Sequence, residues 1–359
     1  MTDLEKILNL RKTLHEHPNL SLNERKTTER LMEFLRENTD LEIIDKGDWF
    51  YAAHREKGAQ KNIAFRCDTD AIPGEDGKPY HGCGHDGHMA LVCALALAIS
   101  RKTFGKNIFL LFQPAEETGQ GALICRDFVP TESIDEIYGL HSTPGFPEGR
   151  ILLLKEVYAC ASEGVTISLT GRQSHAAHPE HGLNPAFLIA KIIGGLDDFL
   201  RDPAYKSLVL ATIVHVLVGG KNFGVNPGSG EISLTIRAHY QSDLERLQKK
   251  LEEYVALHAK EESFAFSFSY NDVFPDTVND ATLFEKIRKL LEEKHYDYEI
   301  LPDPSRASED FGHFAKQTKA FYFGVGAGKN WPSLHTKNFE FNDALIPVAL
   351  RLFLDVINL

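Results

Sequence analysis

Residues 63–74 read Ile63-Ala64-Phe65-Arg66-Cys67-Asp68-Thr69-Asp70-Ala71-Ile72-Pro73-Gly74. A short apolar run ends at two aspartates and is closed by a Pro-Gly signal, the pattern of a buried strand that delivers acidic side chains at its carboxyl end. Two further runs repeat it. Asn107 to Phe112 ends at Gln113-Pro114 and is followed by Glu116-Glu117, and Glu136 to Leu140 ends at His141. Helical patterns lie between them, among them the apolar run Met89 to Ile99, which reads as a buried helix too short to span a bilayer. Strands alternating with helices predict an α/β sheet. Ligands bind such sheets at the carboxyl ends of the strands, so Asp, Glu and His at one edge predict a site there.

Working outward, Leu4 to Asn38 has helical periodicity broken at His17-Pro18-Asn19. The texture changes near Glu163. Val165 to Thr170 alternates as a strand, Pro185 to Leu200 reads as a helix, and Leu208 to Val218 and Glu231 to Tyr240 read as strands. Leu244 to His258 then reads as a helix and Phe264 to Tyr270 as a strand, giving the order β-α-β-β-α-β of a ferredoxin-like module. After Asn279 the first texture returns with a helix, a strand at Ala320 to Val325, a Gly-rich loop and a C-terminal helix from about Asp343. The expected architecture is a catalytic α/β domain with a mixed, mainly parallel sheet flanked by helices, formed by residues 1–162 and 279–359. A smaller α+β ferredoxin-like domain, 163–278, interrupts it as a lid and dimerisation element.

Composition narrows the function. With 43% hydrophobic residues in 359, a full core is available and disorder is excluded as the main state. Lys and Arg number 39 against 51 Asp and Glu, a net charge of −12 without any long basic run, which argues against nucleic acid and against anionic membranes as partners. Five cysteines, all in the first half, and an N-terminus with neither a basic nor an apolar signal region predict free thiols and a cytoplasmic location.

The densest chemical signal is His81-Gly82-Cys83-Gly84-His85-Asp86-Gly87-His88. Thiolate, imidazole and carboxylate are the ligands that zinc and its neighbours choose. A structural zinc knot, or histidines satisfied by hydrogen bonds, is the plainer reading. No CxxC pair occurs in the chain, however, and structural sites usually close with paired cysteines. Glu116-Glu117 at the same sheet edge can divide two roles, one carboxylate holding an ion and the other moving protons.

In order along the chain, Asp68-Thr69-Asp70-Ala71-Ile72-Pro73, the His81 to His88 string and Phe112-Gln113-Pro114-Ala115-Glu116-Glu117 resemble the M20 metallopeptidase/amidohydrolase family. His141-Ser142-Thr143-Pro144, Gly171 to Pro179, Thr235-Ile236-Arg237, Ser308-Glu309-Asp310-Phe311 and Leu334-His335 extend the match over essentially the whole chain. The branch it resembles contains aminoacylase-like deacylases, indole-acetyl-amino-acid hydrolases and N-acetyl-diaminopimelate deacetylases. The resemblance implies two divalent ions, zinc first with manganese, cobalt or nickel as alternatives, held by Cys83, His85, Glu117, His141 and His335, with Cys83 bridging. It implies Glu116 as general base and acid, Asp70 orienting a ligand, and His175 as an oxyanion donor that reaches the partner subunit's site in a homodimer paired through the inserted domain. Asp68 matches a position that is a metal histidine in other branches, and the resemblance implies that His85 replaces it here.

For the substrate, Arg237 resembles the family residue near a carboxylate, a task that suits a guanidinium fork, and Asn226 and His178 are further candidate contacts. The family commonly carries Asn-Val-Ile-Pro where this chain has Gly224-Val225-Asn226-Pro227. The segment Gly74 to Tyr80 is also shorter than that family's usual spacing. The expected activity is removal of the N-acyl group from an N-acyl-amino acid. A dipeptidase is the near alternative, and a non-catalytic metal-binding relative the remote one.

Overall fold

The computed structural model describes residues 1–359, which divide into two compact units. The larger comprises 1–158, 277–305 and 309–359; the smaller comprises 159–276 with 306–308. No helix is long and apolar enough to cross a membrane.

The larger unit is built on an eight-stranded sheet in the spatial order Glu42–Asp45, Phe50–His54, Asn107–Gln113, Asn62–Asp68, Glu136–Pro144, Lys319–Gly328, Ile151–Leu153, Tyr298–Ile300. Its four middle strands run parallel, and the next strand on either side, Phe50–His54 and Ile151–Leu153, joins them antiparallel, so the sheet is mixed and mainly parallel at its centre. The middle strands are the apolar runs of the sequence. The flanking strands Phe50–His54, Ile151–Leu153 and Tyr298–Ile300 carry only three to five residues each and acquire their conformation from the strand beside them, which leaves little local pattern. One expectation is corrected: the third strand does not stop at His141 but runs on to Pro144, because Lys319–Gly328 pairs with it through that point.

Helix His85–Ile99 has no polar face beyond its first turn, and its residues from His85 to Ala96 are all buried. A helix apolar on all sides belongs inside. It lies on strand Asn62–Asp68 between the N-terminal helix Asp3–Glu16 and the C-terminal helix Leu345–Ile357. Gly84 caps it at φ +88, a left-handed conformation that favours glycine, and so turns Cys83 and His85 to the carboxyl edge of the sheet.

The smaller unit is a four-stranded antiparallel sheet in the order Val209–Val218, Ser229–Ala238, Ala161–Thr170, Ala265–Phe274. Helices Ala186–Leu200 and Gln241–Glu262 pack on it through Leu188, Ile192, Leu247 and Val255, among others, which is the ferredoxin-like arrangement.

Candidate metal centre

Cys83, His85, His141, Glu117 and His335 converge at the carboxyl edge of the central sheet. Their ligand atoms form overlapping groups, Cys83 with His85 and His141, and Cys83 with Glu117 and His335, so Cys83 is common to both. Cys83 Sγ lies 3.4 Å from His141 Nε2. Glu117 Oε1 lies 3.8 Å from His85 Nε2 and 3.5 Å from His335 Nε2.

The His85 and His141 rings are each aimed by their other nitrogen. His85 Nδ1 meets the Asp70 carbonyl at 2.9 Å and the Asp70 carboxylate at 3.3 Å, leaving Nε2 toward the cluster. His141 Nδ1 donates to the Ser142 carbonyl at 2.8 Å, leaving Nε2 toward Cys83. A donor on the far nitrogen fixes the tautomer that can bind a metal. His335 sits at φ +61 with its N–H on the Gly82 carbonyl at 2.8 Å.

These residues fit divalent cations. His85 Nε2 and Glu117 Oε1 are buried without any hydrogen-bond partner, which a closed polar core does not leave unsatisfied. Burial, then Glu117 and Glu116, push the Cys83 thiol well above its usual range. Burial pulls His85 down, but Asp68, Asp70 and Glu117 outweigh it and hold the ring up to about 10. Burial, with His88 beside it, holds His141 down at about 3. The carboxylates therefore favour positive charge at His85, while burial keeps the His141 ring neutral.

Glu116 and Glu117 sit on one short turn after strand Asn107–Gln113. Ala115 enters it at φ +50, a left-handed conformation costly for a residue with a Cβ. Two carboxylates hold that turn: Glu24 Oε1 accepts the Ala115 N–H at 2.7 Å, and Asp70 Oδ2 accepts the Glu117 N–H at 3.0 Å and the Ser21 hydroxyl at 2.7 Å. Glu116 is buried, and burial, followed by Glu309, Glu117 and Asp310, raises its carboxyl well above the ordinary range.

Arg66 escapes sequence reasoning, although a charge inside an apolar strand run needs partners and is a signal in itself. Its guanidinium, 2% exposed, meets Gln113 Oε1 at 2.8 Å, Asp68 Oδ2 at 2.8 Å, Asp310 Oδ1 at 3.0 Å and Glu309 Oε1 at 3.1 Å. Asp68 Oδ1 in turn accepts from His88 Nδ1 at 2.8 Å, and His88 Nε2 accepts the Ser142 N–H at 3.3 Å. Glu24, Arg66 and His88 thus brace the centre from behind.

The remaining predicted residues lie in the smaller unit. Ser174 and His175 pair with Asn226 and Val225, and His175 Nδ1 accepts the Ala177 N–H at 3.0 Å, so a neutral His175 carries its proton on Nε2. Asn226 spends its amide on Ser174 Oγ at 3.0 Å and its carbonyl on Asn184 at 2.9 Å. His178, exposed, lies 3.4 Å from Glu180. Arg237 Nη1 donates to the Arg306 carbonyl and to Ser308 Oγ, both at 2.6 Å.

Thiolate, imidazole and carboxylate donors at the carboxyl edge of a mainly parallel sheet, with a buried glutamate beside them, define a hydrolase with a metal-binding centre. The chain belongs to peptidase family M20/M25/M40, whose profile matches residues 64–359. An uncharacterized hydrolase of Staphylococcus saprophyticus is 28% identical, with 96% of this chain and 95% of the relative covered. Among solved structures, a Bacillus subtilis protein described as a dinuclear metal binding peptidase of the M20 family superposes with a TM-score of 0.83 at 22% identity, over 99% of this chain and 98% of the other. A Klebsiella pneumoniae aminobenzoyl-glutamate utilization protein superposes at 0.74 with 17% identity, over 99% and 96%. These two show likeness of fold.

Proposed function

We propose that the protein is a metal-dependent amidohydrolase that splits an N-acyl-amino acid into a carboxylic acid and a free amine. Cys83, His85, Glu117, His141 and His335 would hold two divalent ions, with zinc first and manganese, cobalt or nickel as alternatives. The observation that carries the reading is the division of labour on one turn. Glu117 turns an unpartnered oxygen into the ligand cluster and is shared with the Cys83–His335 group, while Glu116, buried, lies outside both Cys83-containing groups and borders the cluster through His85 and Glu117 on one side and Glu309 and Asp310 on the other. Ions bound there supply Lewis acidity, polarising an amide carbonyl and making water acidic near neutral pH.

Glu116 accepts a proton from the attacking water as its oxygen bonds to the carbonyl carbon. The same carboxyl then protonates the amide nitrogen as the C–N bond breaks. Asp70 keeps the His85 ring and the Glu117 backbone in place throughout. His175, with its proton on Nε2, is suited to donate to the developing oxyanion. Arg237, with Asn226 and His178, is the proposed recognition group for the amino-acid half, a guanidinium matching a carboxylate.

A homodimer through the smaller unit belongs to this proposal. Val209–Val218 is an edge strand whose Ile213, Val214, Val216 and Leu217 are exposed, and an open apolar edge invites pairing with a second copy. The name of the Bacillus subtilis neighbour favours a second reading, cleavage of peptides by the same chemistry.

Amine release is the test. Protein stripped and reloaded with zinc or manganese is offered N-acyl-amino acids and dipeptides. Release from the former alone supports the deacylase, and release from dipeptides alone moves the assignment to a peptidase. Glu116→Gln should keep its metal and lose turnover; undiminished turnover removes Glu116 as the base.

A further inference from the structure

Two cavities adjoin the metal centre within the larger unit. The first, about 530 Å3, is open to solvent and walled by Leu20, Ala71, Ile72, Pro73 and Tyr80, with Ser21, Thr118 and the ligand candidates Glu117 and His335 at its polar side. The second, about 660 Å3, is bordered by the charged Glu75, Asp76, Lys78 and Lys337. Tyr80 and His335 line both, so the Tyr80 ring is the wall the two share.

Tyr80 is built into that place. Ile72–Pro73 and Pro79–Tyr80 form a short antiparallel pair, closed by a Gly74 N–H on the Lys78 carbonyl at 2.8 Å. The Tyr80 ring lies against Gly82, where a Cβ would stand 2.5 Å from the ring. The Gly82 carbonyl also holds the His335 N–H. Glycine at position 82 therefore lets an aromatic ring rest on the backbone between two candidate ligands, Cys83 and His335.

We infer that the first cavity receives the substrate's acyl group, that this group is a bulky apolar one rather than acetyl, and that Tyr80 sets its size. The inference rests on the N-acyl-amino acid reading above. Ligand pockets run from about 300 to 1,000 Å3, so this open cleft has room for a ring. An acetyl methyl leaves most of this wall in water, whereas an aryl or branched aliphatic group displaces water from Leu20, Ala71, Ile72, Pro73 and the Tyr80 ring. In an apolar pocket one methylene changes discrimination by roughly 10–200-fold, so a ring against acetyl should read at least tenfold.

The test separates the subsite from the reaction. Calorimetric titration of the full, zinc-loaded chain with phenylacetate and with acetate measures the cavity without turnover. Phenylacetate should bind at least tenfold more tightly. Tyr80→Ala should cut that ratio roughly tenfold, Tyr80→Phe should keep it, and Leu20→Ala in the same wall should lower it independently. The kcat/KM ratio for N-phenylacetyl against N-acetyl derivatives of one amino acid should follow the same order. A binding ratio near one, or a ratio unmoved by both Tyr80→Ala and Leu20→Ala, overturns the assignment. Discrimination that depends on these residues without amine release from any N-acyl-amino acid keeps the apolar subsite and removes the deacylase reading. Amine release indifferent to both substitutions does the reverse.

Discussion

Replacing Arg66 by methionine keeps the length and apolar stem of the side chain but strips Asp68, Glu309, Asp310 and Gln113 of a shared donor in a site 2% exposed. Asp68 keeps His88, and Asp310 keeps Gln113 and the Ala122 N–H, so the acids are weakened rather than abandoned. Breaking a buried ion pair by removing one partner costs about 3–5 kcal/mol, chiefly because the charge left behind is desolvated. For a unit of this size that is a fall in melting temperature of about 6–20 °C. Thermal unfolding of metal-free protein at pH 7, followed by circular dichroism, reads it directly. Asp68→Asn in the Arg66→Met background should recover part of the loss, since it removes one of the stranded charges. A shift under about 2 °C, or strict additivity of the two substitutions, would refute the view that Arg66 is the cation on which this carboxylate cluster depends.

Three further outcomes follow from the geometry. Asp70→Asn leaves the His85 and Glu117 backbone contacts without a carboxylate, and should weaken metal binding about 10–100-fold in a chelator competition; an unchanged affinity would remove Asp70 from the support of the centre. All five cysteines are buried, and burial raises each thiol, Cys160 to about 11, so a thiol reagent should find no fast-reacting group in the native metal-free protein and five after denaturation. Glu163, 6% exposed, is raised from 4.5 to about 7 by burial and then Glu252. The folded state therefore holds a proton that the unfolded chain releases, and stability falls as pH climbs from about 4.5 to 7. Glu163→Gln should erase that slope and gain up to about 3 kcal/mol at pH 8 relative to pH 4, at 1.36 kcal/mol per pH unit; equal melting differences at the two pH values would contradict it.

Much of the fold was legible because its elements are locally coded. The runs Ile63 to Cys67, interrupted only by Arg66, and Asn107 to Phe112 are mainly apolar strands bounded by Asp and Pro, and Met89 to Ile99 is long and apolar enough to demand burial. The β-α-β-β-α-β order and the four-stranded sheet it forms also follow from periodicity. Strands such as Ile151–Leu153 and Tyr298–Ile300 escaped, since three residues carry no period and are extended because they pair with each other and, through Ile151–Leu153, with Lys319–Gly328. The family motifs named the ligand candidates, but spacing alone held no information on how His335 reaches Glu117 across more than two hundred residues.

The sequence by itself determined the identity and order of the chemical groups: a thiol and two histidines around Gly84, two adjacent glutamates after a strand, and carboxylates at strand ends. Tertiary structure alone decided which of them meet. Glu24 holds the Ala115 N–H from ninety-one positions away, Arg66 binds Asp310 from two hundred and forty-four away, and the Tyr80 ring rests on Gly82, next to Cys83 and to the residue whose carbonyl holds the His335 N–H. Periodicity and turn chemistry act over a few residues, and so they leave a trace in the local pattern. The partner of a single buried charge, or the wall of a cavity, is set by which distant segments pack together, and no local pattern encodes that.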